Sequence, residues 1–382
     1  AGRTEAGAKA VSSHTGSLAG TYAAYQAAFK QAGVIEVQDI VSLFDVAWSL
    51  SCQPLPQGNR AVIFTNSGGP AALASDSLAS HGYTLGEISK DKQHKLAEKL
   101  NPSAQVANPV DMLGGAEADE FEHCFQTLID DPGMDIFLPM LVPQSLVNPA
   151  GIARVIVNNA QKTDKTVLAC MVGEQSLAEA RAILHANGVP MSVYPDVPGK
   201  VLGAMLAYRS WLEVPHSQPF GFSDVNLAAV AKQLGRTGTH TLGEAETRPI
   251  MVDYGFNLVP GMMVEDADAG VAAAEALGYP VVVKIVSPQI LHKSDLGGIA
   301  LNLRSADEVR IAIDSMRARI SERAPDAQIT GFLVQKMAPK GMEVIVGMRR
   351  DASFGPLMMF GLGGVYVELF KDVGFGVAPM TV

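Results

Sequence analysis

The sequence predicts an α/β protein in which segments with a doubly wound parallel sheet precede an α+β segment. Between residues 58 and 215, short apolar stretches alternate with helical patterns, as in a parallel sheet with crossover helices. Beyond residue 220, several strand patterns follow one another closely, which is typical of antiparallel pairing. With 382 residues, the chain exceeds one ordinary hydrophobic core, so we expect two or three domains.

The first half of the chain is interrupted by a short linker. Helical periodicity covers residues 21–32 and 40–50, and the stretch 54–59 then contains two prolines and a glycine. The alternation that follows predicts strands at 61–65, 136–141, 166–171 and 190–194, and helices at 71–81, 118–130, 149–160 and 176–186. Residues 215–221, with two more prolines, predict a second boundary.

The last third reads as an α+β segment. Its helical patterns cover residues 244–254, 267–277 and 306–322. Strands are predicted at 256–259, 281–285, 298–303, 331–336, 342–348 and 356–360. Because only five residues separate 331–336 from 342–348, we expect these two strands to form an antiparallel pair.

Composition limits the classes of partner. The formal net charge is -10 and no basic cluster is present, which argues against nucleic-acid binding. Since no apolar run approaches about 20 residues, we expect no membrane span. The three cysteines are far apart and predict reduced thiols in a cytoplasmic protein. The chain begins at Ala1 with no strand before its first motif, so we expect it to be part of a longer polypeptide.

Two histidines lie among small, flexible residues. His14 stands in SHTGSLAG and His292 stands in ILHKSDLGG. An imidazole near neutral pH has an unprotonated nitrogen that can attack phosphorus, so such a histidine suits the transfer of a phosphoryl group. Either histidine alone is more often structural or merely exposed. Their combination with the two motifs described next favours a phosphoryl relay.

A glycine-containing turn follows the strand at 61–65. It comprises Asn66, Ser67, Gly68 and Gly69, and the helix that begins there would present free N–H groups and its positive dipole end to an anion. The turn lacks the lysine of a P-loop, so a lone phosphoryl group is the expected ligand. An equally good interpretation is a strand-to-helix turn capped by Asn66 or Ser67 without any ligand.

The last third contains residues in the order expected of a nucleotide site. Lys284 ends an apolar strand, where its charge would reach the phosphates, although a lysine at that place also extends into water simply for solvation. A hinge at Gln335, Lys336 and Met337 would read adenine through its main chain, and the acidic residue Glu343 follows on the next strand. The glycines that would let the main chain approach phosphate are Gly361, Gly363 and Gly364.

Together these motifs resemble those of the NDP-forming acyl-CoA synthetases, the superfamily that also contains succinyl-CoA synthetase. The markers run across essentially the whole chain, at residues 13–16 and 18–20, 66–69, 108–111, 291–295 with 297–298, and 360–364 with Glu368. By this resemblance, residues 1–54 are part of a flavodoxin-like CoA-ligase domain and residues 58–215 are a second flavodoxin-like CoA-ligase domain. Residues 220–382 resemble an ATP-grasp domain that is incomplete at its C-terminal end.

The resemblance implies the reaction acid + ATP + CoA ⇌ acyl-CoA + ADP + phosphate. His14 would attack an acyl phosphate and become phosphohistidine, and His292 would relay the phosphoryl group to the nucleotide. Magnesium would offset the charge of the nucleotide, but the family's metal ligands come later than Val382, so we assign it no residue. The family also implies a CoA-binding domain upstream of this chain. We expect a homo-oligomer, and the sequence does not identify the carboxylic acid.

Three other functions remain open at this stage. The same scaffold serves as the regulatory domain of some protein acyltransferases, which the presence of His14 argues against. An enzyme that uses the acyl-CoA as an intermediate, such as a lyase, would show the same motifs. A plain ATP-grasp ligase without phosphohistidine would leave the two flavodoxin-like segments unexplained.

Overall fold

The computed structural model describes residues 3–4, 6–7, 22–145, 147–173, 175–215, 218, 221–223, 225–237, 242–290, 292–364 and 373–380. The chain forms two compact units. The first comprises residues 1–218, 346–360 and 373–381, and the second comprises residues 219–345, 361–372 and 382. No helix among the described residues is both long enough and apolar enough to cross a membrane.

A parallel sheet of seven strands forms the centre of the first unit. The strands are β1 (Arg60–Thr65), β2 (Thr84–Leu85), β3 (Val110–Asp111), β4 (Ile136–Leu141), β5 (Thr166–Val167), β6 (Ala169–Met171) and β7 (Met191–Ser192). Their order is β2-β1-β4-β6-β7, with β3 also paired with β1 and β5 paired with β4. Every one of these pairs is parallel. β1 and β4 are almost wholly buried, which explains their continuous apolar sequences.

The described helices of the first unit are α1 (Tyr22–Ala32), α2 (Ile40–Cys52), α3 (Gly68–Ser80), α4 (Lys90–Ala97), α5 (Ala118–Leu128), α6 (Pro149–Ala160), α7 (Ala178–Ala186) and α8 (Val197–Glu213). A 3-10 turn at Gln175–Leu177 precedes α7. Alternate residues of β1 enter different hydrophobic clusters: Phe64 lies in one with α5 and α6, and Ile63 lies in the other with α3 and α8. Helices therefore cover both faces of the sheet, and the predicted doubly wound class is confirmed.

Helix α8 was not predicted, because two glycines and a proline weaken its helical pattern. Those glycines have a packing role. A Cβ atom built on Gly199 would lie 2.3 Å from Ser77 Oγ, and one on Gly203 would lie 2.9 Å from the Cβ of His81. The backbone of α8 thus approaches α3 closely, which residues with side chains at these positions would prevent.

The second unit contains the four-stranded sheet β10-β9-β11-β8. Its strands are β8 (Gly261–Val264), β9 (Val281–Val286), β10 (Ile299–Leu303) and β11 (Gly331–Lys336), and all three pairs are antiparallel. The helices are α9 (Leu227–Thr237), α10 (Glu244–Asp253), α11 (Ala267–Leu277) and α12 (Ala306–Arg323). Apolar residues of α11 and α12 pack against one face of this sheet.

Two strand predictions for the last third are wrong. The strand expected at 256–259 begins only at Gly261, after Pro260, which has no N–H to donate to a neighbouring strand. The expected pairing of β11 with the next strand is also absent, since β9 and β8 already occupy the two edges of β11. The next strand, β12 (Val344–Asp351), instead joins β13 (Gly355–Leu362) and β14 (Val373–Val377) in a separate sheet of order β12-β13-β14.

Candidate functional site

The carboxyl ends of β1 and β4 meet where the strand order of the parallel sheet reverses, the usual ligand position in this fold class. Asn66 follows β1 directly. Its side-chain amide donates to the carbonyl oxygen of Val142 and accepts from the N–H of Val142, both at 2.8 Å. Because Asn66 is only 1% exposed, this amide joins the two loops that follow β1 and β4.

Helix α3 begins immediately after this junction. The N–H of Ser67 donates to Thr65 Oγ1 at 3.1 Å. Within the described residues, the Ser67 hydroxyl caps no N–H group of the helix, and Asn66 is already engaged by Val142. The interpretation of a side-chain-capped turn therefore does not describe this helix start. Since Pro70 carries no N–H, the first turn offers the N–H groups of Gly68 and Gly69 to an external acceptor.

A carboxylate lies beside the same helix start. Asp111 ends β3, and a Cβ atom built on Gly68 would lie 2.6 Å from Asp111 Oδ2. A Cβ atom on Gly69 would have no atom within 4 Å. A side chain at Gly68 would therefore displace the Asp111 carboxylate, whereas Gly69 faces open space. Asp111 was a sequence marker without an assigned role, and its place at the carboxyl end of a parallel strand is the signal that points to the site.

Asn108, three residues before Asp111, has a structural role. Its side-chain amide donates to the carbonyl oxygens of Ala61 and Gly86, each at 2.8 Å, and accepts from the N–H of Ile63 at 3.1 Å. These three bonds fix the approach to β3 against β1 and the segment after β2. They hold Asp111 at the edge of the sheet where the helix start lies.

Lys284 lies inside β9 rather than at its end, because the strand continues to Val286. Its side chain is 24% exposed, and its Nζ atom lies 2.7 Å from Oε1 of Glu244, the first residue of α10. Lys284 is therefore ion-paired and does not merely extend into water. Sequence reasoning missed Glu244, which no motif marks and which only the packing of α10 brings to the strand.

Lys284 and Gln335 lie on the same face of the four-stranded sheet. Val283 and Ile285, which flank Lys284, and Val334, which precedes Gln335, belong to the hydrophobic cluster with α11 and α12. The side chains of Lys284 and Gln335 therefore point to the opposite face. Lys284 is paired with Leu333, two residues before Gln335 on β11. Such diagonal neighbours lie roughly 7–8 Å apart, so the sheet brings these two predicted nucleotide residues together.

The predicted adenine hinge has its N–H groups engaged. The N–H of Lys336 donates to the carbonyl oxygen of Pro260 at 3.0 Å, and the N–H of Met337 donates to that of Pro280 at 3.1 Å. A base that reaches this hinge would therefore meet its carbonyl groups, or would have to displace these bonds. The hinge lies at the start of β9, because Lys336 is paired with Val281.

His292 lies in the loop that joins β9 to β10, and it is exposed. Gly298 closes this loop: its N–H donates to the carbonyl oxygen of Lys293 at 2.7 Å, and its own carbonyl accepts from the N–H of Ile285 at 2.8 Å. A Cβ atom on Gly298 would lie 2.5 Å from Ile285 Cγ2, so this close approach requires glycine. The His292 loop is thus anchored next to Lys284.

Glu343 and the glycine motif contact each other. The N–H of Gly363 donates to the carbonyl oxygen of Glu343 at 2.7 Å, and a Cβ atom on Gly364 would lie 2.9 Å from Glu343 Oε2. Gly364 has a φ of +67°, a conformation that favours glycine. Gly361 differs, since it is buried within β13. Glu343 itself lies just before β12, not within it as expected.

The run that contains His14 lies outside the described residues. Two cysteines of the first unit are unsuited to act as nucleophiles in its place. Burial raises the pKa of Cys170 to about 11 and raises the pKa of Cys124 well beyond its usual range. Both thiols therefore stay protonated and unreactive near neutral pH.

Models of three protein families match the chain. A succinyl-CoA ligase like flavodoxin domain matches residues 1–50, a ligase-CoA domain matches residues 61–214, and an ATP-grasp domain matches residues 233–382.

Characterised relatives extend this likeness over the full chain. The ADP-forming acetate–CoA ligase I of Archaeoglobus fulgidus is 39% identical over 384 residues, which is 100% of this chain and 55% of that protein. The ADP-forming 4-hydroxybutyrate–CoA ligase of Nitrosopumilus maritimus is 35% identical with the same two coverages. Over its full length the chain is thus similar to ADP-forming acyl-CoA ligases. The resemblance found in the sequence is thus confirmed, and the chain spans about half the length of the curated relatives it matches.

A solved structure agrees with the fold. The dinucleotide-forming acetyl-coenzyme A synthetase 1 of Ca. Korarchaeum cryptofilum, in complex with phosphate and ADP, is 31% identical to this chain. It matches with a TM-score of 0.52 over 55% of this chain and 46% of that chain.

Proposed function

We propose that this chain is part of an ADP-forming acyl-CoA synthetase that catalyses acid + ATP + CoA ⇌ acyl-CoA + ADP + phosphate. The observation that carries the proposal is that Lys284 lies in β9 and that the His292 loop follows directly after this strand. The proposal is also supported by the ADP-forming ligases that are similar to the whole chain.

The order of groups along β9 supports a nucleotide lying across this sheet. The hinge at Lys336 and Met337 is paired with the start of β9, Lys284 is the fourth residue of the strand, and the His292 loop leaves after Val286. At about 3.3 Å per residue, the strand from its first to its last residue spans roughly 16 Å. This order matches that of a base, its phosphates and a histidine that exchanges the terminal phosphoryl group.

The first unit supports the steps that involve phosphate and acyl phosphate. In the direction of ATP synthesis, a phosphate oxygen attacks the thioester carbonyl, the carbon–sulfur bond breaks, and CoA leaves as the thiolate. An unprotonated ring nitrogen of His14 then attacks the phosphorus, and the carboxylate leaves with the electron pair of the broken phosphorus–oxygen bond. We propose that the N–H groups of Gly68 and Gly69 stabilise the phosphoryl oxygens during this transfer.

His292 would then receive the phosphoryl group and pass it to ADP. Each transfer breaks a nitrogen–phosphorus bond, first to form a new one on His292 and then to form the terminal phosphate bond of ATP. Lys284 holds the nucleotide phosphates through its charge during the second transfer. His292 is exposed in a loop that Gly298 closes, which fits a residue that must meet both phosphorylated His14 and ADP.

Magnesium offsets the charge of the nucleotide phosphates when it is bound. Among the described residues, no three His, Cys, Asp or Glu side chains converge as a metal site, so we assign magnesium no ligand in this chain. The proposed partners are therefore CoA, the nucleotide and a small carboxylic acid. We further propose a homo-oligomer in the cytoplasm, where the described free thiols would remain reduced.

The proposal is tested with the full-length protein, CoA, ATP and magnesium against a panel of short and branched carboxylic acids. We expect thioester formation with at least one acid, accompanied by equimolar ADP and phosphate. Release of AMP and pyrophosphate would show a different activation chemistry and would contradict the proposal.

A further inference from the structure

We infer that Glu244 is a positioning residue that holds Lys284 before the nucleotide binds and competes with the nucleotide phosphates for it. The inference rests on the proposed nucleotide role of Lys284. Glu244 Oε1 lies 2.7 Å from Lys284 Nζ, and the two side chains are 35% and 24% exposed. A bond this short between opposite charges away from full solvent fixes the direction in which the lysine points.

The carboxylate is held in place by the start of α10. Glu246 Oε2 accepts the N–H of Gly243 at 2.8 Å, which fixes the first turn of the helix. Arg248, one helical turn after Glu244 and on the same side of α10, donates to the carbonyl oxygen of Val259 at 2.6 Å. The helix is therefore tied to the segment before β8, and Glu244 is directed at β9. A carboxylate in the first turn is also favoured by the helix dipole.

A nucleotide phosphate at Lys284 would place a second negative charge beside Glu244. The ammonium group has three N–H donors, so it can contact a phosphate oxygen as well as Glu244. The phosphate and the Glu244 carboxylate would then repel each other, because both contact the same ammonium group. Glu244 thus takes up one donor of Lys284 and repels a phosphate that approaches the others. It keeps Lys284 oriented without ligand and weakens the binding of phosphates that make few other contacts.

The direction of the effect follows from these charges. Replacement of Glu244 by Gln keeps the shape of the side chain and removes the repulsion, so binding should become tighter. Because both side chains are partly exposed, the expected gain is modest, about two- to fivefold in the dissociation constant for ADP and ATP. A purely structural ion pair would give unchanged or weaker binding.

The experiment measures ADP and ATP binding by calorimetry on the full-length protein and on E244Q, K284M and the double variant, with thermal melts to confirm folding. The control is E322Q, which removes one negative charge from an exposed position on α12 of the same unit. We expect tighter binding in E244Q alone, no change in E322Q, and no gain from E244Q when Lys284 is already Met.

Three results would overturn the inference, and they have different meanings. Unchanged or weaker binding in E244Q, with weaker binding in K284M, would show that Lys284 binds the nucleotide without interference from Glu244. An equal gain in nucleotide affinity from E244Q with and without K284M would show that Glu244 acts through its charge alone and not through Lys284. Unchanged binding in K284M would remove Lys284 from the nucleotide site, so the proposed site and this inference would fail together.

Discussion

The side-chain amide of Asn66 and the main chain of Val142 satisfy each other through two hydrogen bonds in a buried position. Asn66→Ala would leave the N–H and the carbonyl of Val142, which lie in a part-buried position, without these partners. We expect a loss of stability of about 2 kcal/mol or more, seen as a lower melting temperature of the full-length protein. The matched control is Asn158→Ala at an exposed position on α6 of the same unit, which should change stability by less than about 0.5 kcal/mol. Equal melting temperatures for the two variants would show that this amide does not stabilise the fold.

Two adjacent glycines allow a matched test of the helix start. Gly68→Ala would push a methyl group against Asp111 Oδ2, whereas Gly69→Ala would place one in open space. We expect Gly68→Ala to reduce phosphate-dependent formation of acyl phosphate from acyl-CoA by about tenfold or more, because Asp111 has to move. Gly69→Ala should affect this step less, because no neighbouring atom has to move. Isotope exchange between phosphate and acyl phosphate measures this step. An undisturbed exchange rate in Gly68→Ala would locate phosphate elsewhere.

Strands and helices with a strong apolar period could be predicted closely. The strands at Ile136–Leu141 and Gly331–Lys336 and the helices at Pro149–Ala160 and Ala267–Leu277 agree with the prediction at both ends. These segments bury a regular set of side chains, so their pattern alone determines the element. Helix α8 could not be found in this way, because its glycines are set by contact with α3, which the local sequence does not reveal.

The residues of the candidate site also divide into those that the local sequence reveals and those that only packing reveals. Lys284, Gln335 and the His292 loop were selected from strand ends and glycines, and the sheet register brings them to one strand pair. The partners Glu244 and Asp111 could not be assigned, since each meets its neighbour only through the packing of elements far apart in the chain. The engagement of the hinge N–H groups could not be predicted either, because their acceptors are Pro260 and Pro280, which precede two other strands.

Lys284→Met should weaken nucleotide binding while the fold stays intact. The apolar part of the side chain is retained and only the charge is lost. A charge-assisted contact is worth on the order of 1.5–3 kcal/mol, so the dissociation constant for ATP should rise about ten- to a hundredfold. Calorimetric titration measures the change, and Lys232→Met, at an exposed position on α9, is the control. Affinity equal to that of the control would require the nucleotide site to be relocated.

His292→Ala should separate the two halves of the reaction. We expect loss of phosphoryl exchange between ATP and ADP by a factor of about a hundred or more, because the group that meets the nucleotide is missing. Formation of acyl phosphate from acyl-CoA and phosphate should persist, since we propose that this step uses the first unit. His94→Ala, at an exposed position on α4, should affect neither step. Normal nucleotide exchange in His292→Ala would reduce His292 to a structural residue.

The covalent state of His14 tests the proposed phosphoryl relay most directly. Full-length protein incubated with ATP labelled in its terminal phosphate, with magnesium, should carry a label that is lost in acid and retained in base, as a phosphorus–nitrogen bond requires. We expect His14→Ala to abolish the part of the label that can be transferred to the carboxylic acid as acyl phosphate. A label that survives acid, or that His14→Ala carries to the same extent and transfers equally to the carboxylic acid, would contradict the phosphohistidine assignment.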